Sequence, residues 1–217
     1  MTAERDAGFR MRPPLFGTER LRAFSDGVFA IIITIMVLEL AAPHTADLDA
    51  LRPLLPVFLS YVLSFVYLGI YWNNHHHLFY VTERISGGVL WANLHLLFWV
   101  SLFPFATAWM GENSFAQLPT ALYGGILLLA ALAWWIMQRV LLAGHGRDSL
   151  LAAAMGSSWK EKLSPVVYAI AIGCTFFRPW IADALYAAVA LMWIVPDRRV
   201  ERALQASHDR TGTDDSR

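Results

Sequence analysis

Four apolar runs of roughly twenty residues or more restrict what this chain can fold into. They extend from Leu21 to Ala42, Leu54 to Val81, Gly88 to Met110 and Leu118 to Leu142. A helix of ~20 apolar residues spans the hydrocarbon core of a bilayer. Two shorter runs follow, Leu163 to Phe177 and Trp180 to Val195. They are joined by Arg178-Pro179, where proline favours a break, so a tight hairpin of two short spans is expected. The expected fold class is an all-α membrane protein with six transmembrane helices per subunit. A buried globular core would need a polar coat. Charged residues are only 16% of the 217, against 57% hydrophobic, whereas soluble domains carry roughly 25% charged residues.

Charge placement sets the expected orientation, because cytoplasmic loops are enriched in lysine and arginine. Of the 17 such residues, only Arg52 and Arg178 fall on one side of a six-span arrangement. The remainder lie in the N-terminal arm, at Arg84, between Arg139 and Lys162, and in the C-terminal tail. Both termini are therefore expected in the cytoplasm, in a multi-pass protein of the cell membrane. The first twenty residues lack an apolar core with a small-residue cleavage site, so no cleavable signal peptide is expected. Residues 1–19 read as a cytoplasmic arm, 20–204 as the six-span domain and 205–217 as a disordered tail. Leu150 to Met155 is expected to form a short helix at the membrane surface. Net charge is zero, and no nucleic-acid partner is expected. The single cysteine, Cys174, has no intrachain disulfide partner.

Polar residues inside an apolar helix are costly and mark function or structural pairing. The first span carries Ser25 and Asp26, the latter ~9 Å along the axis from Arg20. The alternative is that Ser25 and Asp26 merely cap a helix starting at Gly27. The second span carries Trp72 and the run His75-His76-His77. The third carries Asn93 and His95. By helix rise, Asp26, His76 and His95 all lie ~10 Å from the expected interface. Buried polar groups need partners. A structural network is therefore expected among Arg20, Ser25, Asp26, Trp72, His75, His76, Asn93 and His95, tying the first span to the second and third.

Two rival chemistries compete for these polar residues. Consecutive histidines on a helix point about 100° apart, so three in a row do not converge on one metal ion, and a histidine-metal membrane enzyme is disfavoured. No cofactor is expected. A secondary transporter would use Asp26 and the histidines as a proton relay. Inverted repeats or broken helices would favour it, and the sequence pattern displays neither.

The motif Arg20-x-x-x-Phe24-Ser25-Asp26, followed by Gly27-Val28-Phe29-Ala30-Ile31 and Thr34, resembles the signature of bacterial members of the transmembrane protein 175 family of potassium channels. Trp72 with His75-His76, and Asn93 followed by Leu102-Phe103-Pro104-Phe105-Ala106-Thr107, fit the same family. The departures are His77, which extends the usual histidine pair, and isoleucines in place of some pore leucines. The resemblance implies a homotetramer in which the first helix of each subunit lines a central pore. Its partners are further copies of itself, membrane lipid, and potassium with other monovalent cations as the permeant species.

The resemblance also implies a constriction of apolar rings in place of a carbonyl filter. The matching positions are Ile31, Ile35 and Leu38, spaced i, i+4, i+7 on one helical face, with Thr34 at its border. By spacing alone, such a stripe reads as an ordinary helix-packing surface. An apolar ring acts by dewetting and by stripping part of an ion's hydration shell. Glu39 has two readings: attraction of cations to the outer mouth, or a pair with Arg52.

Overall fold

The computed structural model describes residues 17–80, 82, 85–145 and 159–194. The expected surface helix at Leu150–Met155 and the polar tail lie outside these residues, as does nearly all of the N-terminal arm. Seven α-helices are seen among the described residues: α1 (Thr18–Leu38), α2 (Leu55–Tyr80), α3 (Gly87–Ser101), α4 (Phe103–Glu112), α5 (Gln117–His145), α6 (Trp159–Thr175) and α7 (Pro179–Ile194). No strand occurs among the described residues. Among the described residues, four segments are long and apolar enough to cross a membrane: Thr18–Leu38, Leu48–Tyr80, Gly87–Glu112 and Gln117–Gly144. α6 and α7, of 17 and 16 residues, form the short hairpin.

The third apolar run departs from a continuous helix. It is divided at Leu102 into α3 and α4. Pro104 stands in the first turn of α4. A proline there has no N–H to donate, and its ring crowds the carbonyl four residues back. Leu102 instead closes α3 with a bond from its N–H to the Trp99 carbonyl, at 3.2 Å. The run reads as unbroken in the sequence because every residue around the break is apolar or small. Other ends follow ordinary chemistry. Ser86 caps α3, its hydroxyl accepting from the Val89 N–H at 3.3 Å. Asp47 caps a 3₁₀ segment, Leu48–Leu54, by accepting from the Ala50 N–H at 2.8 Å.

The core is aromatic and carries its own hydroxyl pairing. Tyr67, Tyr123, Tyr186 and Phe103 are fully buried among α2, α4, α5 and α7. The Tyr67 hydroxyl donates to the Tyr186 carbonyl at 2.7 Å. The Tyr186 hydroxyl donates to the Thr120 carbonyl at 3.3 Å. Ser64 bonds Thr107 at 2.6 Å and Tyr123 at 2.9 Å, joining α2, α4 and α5. In a bilayer, with no hydrophobic drive between helices, packing and such bonds hold spans together.

Close approach matters most at Gly111, where α4 crosses the start of α2. A Cβ on Gly111 would stand 2.5 Å from Ser60 Oγ and 2.7 Å from Val57 Cα. The second neighbour is backbone and has little room to yield. Overpacking typically costs ~1–3 kcal/mol, so Gly111→Ala is expected to lower the thermal midpoint in detergent by several degrees. Gly125→Ala, at a site with nothing within 4 Å, is the matched control and should leave the midpoint unchanged. Equal melting of the two variants would show that α2 and α4 do not meet this closely.

Candidate functional site

α1 begins at Thr18, two turns before Ser25. Ser25 and Asp26 are therefore interior to the helix rather than its caps. The buried face of α1 comprises Leu21, Ser25, Phe29, Ile32 and Met36. Ser25 is the one polar residue on it.

Ser25 begins a chain of bonds that runs to α3 and then to α2. Asn93 of α3, fully buried, donates from Nδ2 to Ser25 Oγ at 3.0 Å. Its Oδ1 lies 2.8 Å from Nε2 of His75 on α2. With the amide in this orientation, His75 Nε2 carries the proton and donates. The imidazole is 1% exposed, with Phe79 at 4.5 Å and Phe29 at 5.8 Å between ring centroids. Three helices are thus joined through one asparagine amide, used at both ends.

A second bond lies further out on the same helices. Trp72 Nε1 donates to Asp26 Oδ1 at 3.0 Å. The remaining expected members stand apart. His76 is exposed, its ring 5.9 Å from that of Trp72. His95 is exposed and accepts from Trp99 of its own helix at 3.0 Å. Arg20 is exposed. Among the described residues, no group of three His, Cys, Asp or Glu side chains is placed to hold a metal ion.

In the sequence, Arg22 reads only as a cytoplasmic charge. Its guanidinium donates to the Phe79 carbonyl at the end of α2 and lies 5.9 Å from the Tyr80 ring centroid. The last carbonyls of a helix lack intrahelical partners and favour a cation. An arginine near the end of one span, beside the end of another, is the available signal. Thr107 stands out in the sequence only as part of a motif. Its hydroxyl lies 3.8 Å from Met36 Sδ and ties α4 to α1.

The other face of α1 is exposed among the described residues. Ile31 is 58% exposed, Ile35 43% and Leu38 79%. Thr34 is exposed beside them, its hydroxyl donating to the Ile31 carbonyl at 2.9 Å. That bond occupies the hydroxyl proton and leaves the oxygen free to accept. Phe24 and Gly27, also exposed, continue the stripe toward the N-terminal end. The two readings of Glu39 are narrowed: Arg52 pairs with Asp49 at 3.2 Å, and Glu39 is an exposed residue at the end of α1.

Comparison with known proteins bears on this arrangement. The family model described as endosomal/lysosomal potassium channel TMEM175 matches residues 20–104. A potassium channel of Chryseobacterium sp. (strain P1-3) is 52% identical over 186 residues, covering 86% of this chain and 97% of that protein. The endosomal/lysosomal proton channel TMEM175 of Gallus gallus is 39% identical over 88 residues, covering 35% of this chain and 17% of that protein. The crystal structure of a lysosomal potassium-selective channel TMEM175 homologue from Chamaesiphon minutus superposes with a TM-score of 0.70 at 28% identity. The match covers 82% of this chain and 96% of that one.

Proposed function

Because the chain belongs to the TMEM175 family of channels, we propose that it is a potassium-permeable channel whose barrier is a set of apolar rings on α1. The chain is a multi-pass membrane protein, and its family and relatives are channels rather than enzymes. The observation that carries the finer reading is the two-faced character of α1. One face is locked to the subunit through Ser25, and the other offers Ile31, Thr34, Ile35 and Leu38 to something outside it.

A lone α1 cannot enclose a path, so the reading requires several copies around an axis, a homotetramer. Ile31, Ile35 and Leu38 then form successive rings that resist wetting. Thr34 lone pairs replace a little of the lost hydration. Without a carbonyl cage, the preference for potassium over sodium is modest. The polar network of Ser25, Asp26, Trp72, His75 and Asn93 positions α1 and does not touch the ions.

Recording from purified protein in planar bilayers tests this directly. Unitary currents whose reversal is shifted toward the potassium equilibrium potential are expected. Currents that follow only the proton gradient would assign protons as the permeant ion. Slow, saturable, coupled flux without unitary events would make the protein a transporter.

The proposed placement in the cell membrane, with both termini cytoplasmic, has its own check. In a variant with Cys174 replaced by serine, a cysteine at position 113 should react with an impermeant reagent added outside intact cells. A cysteine at position 147 should react only after lysis. Outside labelling at 147 would overturn the orientation.

A further inference from the structure

Two polar side chains expected in the α1 network, His76 and His95, face outward instead. His95 of α3 accepts at Nε2 from Trp99 Nε1 at 3.0 Å, so its ring proton lies on Nδ1. It stands in a row with Trp91 and Phe98, which are 75% and 54% exposed. Positions i, i+4 and i+7 share one helical face. On α2, Trp72 and His76 are exposed one turn apart, and Asp26 of α1 joins them through the Trp72 bond. That bond uses Asp26 Oδ1 and leaves Oδ2 as an acceptor.

The two surfaces match in depth. The Arg22 bond to the Phe79 carbonyl sets the start of α1 beside the end of α2, and α3 begins soon after that end, on the same side. Asp26, Trp72 and His95 are each eight residues in from those helix ends, ~12 Å by helix rise. His76 and Trp91 are each four residues in, ~6 Å. In a lone subunit, an imidazole N–H and a carboxylate oxygen would face hydrocarbon at that depth. Ionisable residues within spans turn to protein or water and pair with one another. The α3 row offers a donor and the α1–α2 surface an acceptor, so each complements the other better than its own copy. Rings of identical subunits close through contacts between two different surfaces. Resting on the tetrameric reading above, we propose that the α3 surface of each subunit docks on the α1–α2 surface of the next copy. His95 Nδ1 donates to Asp26 Oδ2 across this contact, and Trp91 packs on His76.

Cysteine cross-linking of the full chain in membranes tests the proposal, in a Cys174→Ser background with a short bifunctional thiosulfonate reagent. One double variant combines Asp26→Cys with His95→Cys, the other His76→Cys with Trp91→Cys. The second leaves the bonds that hold α1 intact, so it reads the contact even where the first destabilises the fold. Each double variant should give a ladder of cross-linked species up to the tetramer, and each single variant none. Trp91→Cys combined with Ile170→Cys, exposed on α6, is the control and should give none. Mass photometry of the untreated protein in nanodiscs separates the outcomes. Tetramers that give no ladder from His76→Cys with Trp91→Cys overturn this docking surface and leave the channel reading standing. Ladders from the single variants overturn it too, since a surface then meets its own copy, as do equal ladders from the control, which mark random collision. Monomers without any ladder overturn both this surface and the tetrameric channel.

Discussion

Ile31→Asn should give larger single-channel currents and a potassium-to-sodium permeability ratio close to one. In the proposed tetramer, four Ile31 side chains meet at the axis. A β-branched side chain has essentially one χ1 rotamer in a helix, so the ring is stiff and dry. An amide at this position accepts and donates hydrogen bonds to water, and the constriction wets. Lowering the barrier by ~1.4 kcal/mol raises the rate about tenfold. The control is Ile32, about 100° round the helix and only 4% exposed, facing the subunit core. Ile32→Asn should reduce the yield of folded protein. The channels that do form should keep the native permeability ratio. Bilayer recordings under bi-ionic conditions read both quantities. Unchanged conductance and selectivity in Ile31→Asn would dispose of the ring.

The second large effect is expected at Asn93. Asn93→Ala removes the group that serves Ser25 and His75 together. Each buried polar group left unpaired costs ~1–3 kcal/mol. A satisfied bond between membrane helices contributes only ~0.6 kcal/mol on average. The penalty of half a network therefore exceeds the value of the whole. It follows that Asn93→Ala should be much less stable than the triple variant Ser25→Ala, His75→Phe, Asn93→Leu. Thermal unfolding followed by size-exclusion chromatography compares them. A triple variant that melts normally but no longer conducts would move this network into the permeation path. A triple variant less stable than Asn93→Ala would show that the intact bonds outweigh the penalty of stranding their partners.

The spans were legible in the sequence because ~20 apolar residues in succession have few other fates. Their ends were less so. α1 starts at Thr18 rather than Leu21, and α6 at Trp159 rather than Leu163. The first turns contain Glu19, Lys160 and Glu161, and hydropathy reads such residues as outside the helix. The division at Leu102 is masked for the opposite reason, since Pro104 sits among apolar neighbours that hide a backbone effect. Among the histidines, sequence could not say which one turns inward. That depends on the rotation of α2, which sets His75 against Phe29 of α1 and Asn93 of α3. The partner of Arg22 was hidden because it is a backbone carbonyl, which has no residue identity to read.

Within the subunit α1 is held by Ser25 to Asn93 to His75, by Asp26 to Trp72, by Arg22 to the Phe79 carbonyl and by Met36 to Thr107. On the tetrameric reading, these bonds hold α1 in each subunit with its exposed stripe already aimed at the axis. Lipid tails are as apolar as isoleucine, so the bilayer supplies no hydrophobic push for four such stripes to meet. Association of finished parts is then a matter of mass action. On the tetrameric reading, how many conducting units a cell possesses depends on the areal density of the protein in its membrane, and a sparse population remains as silent, well-folded monomers.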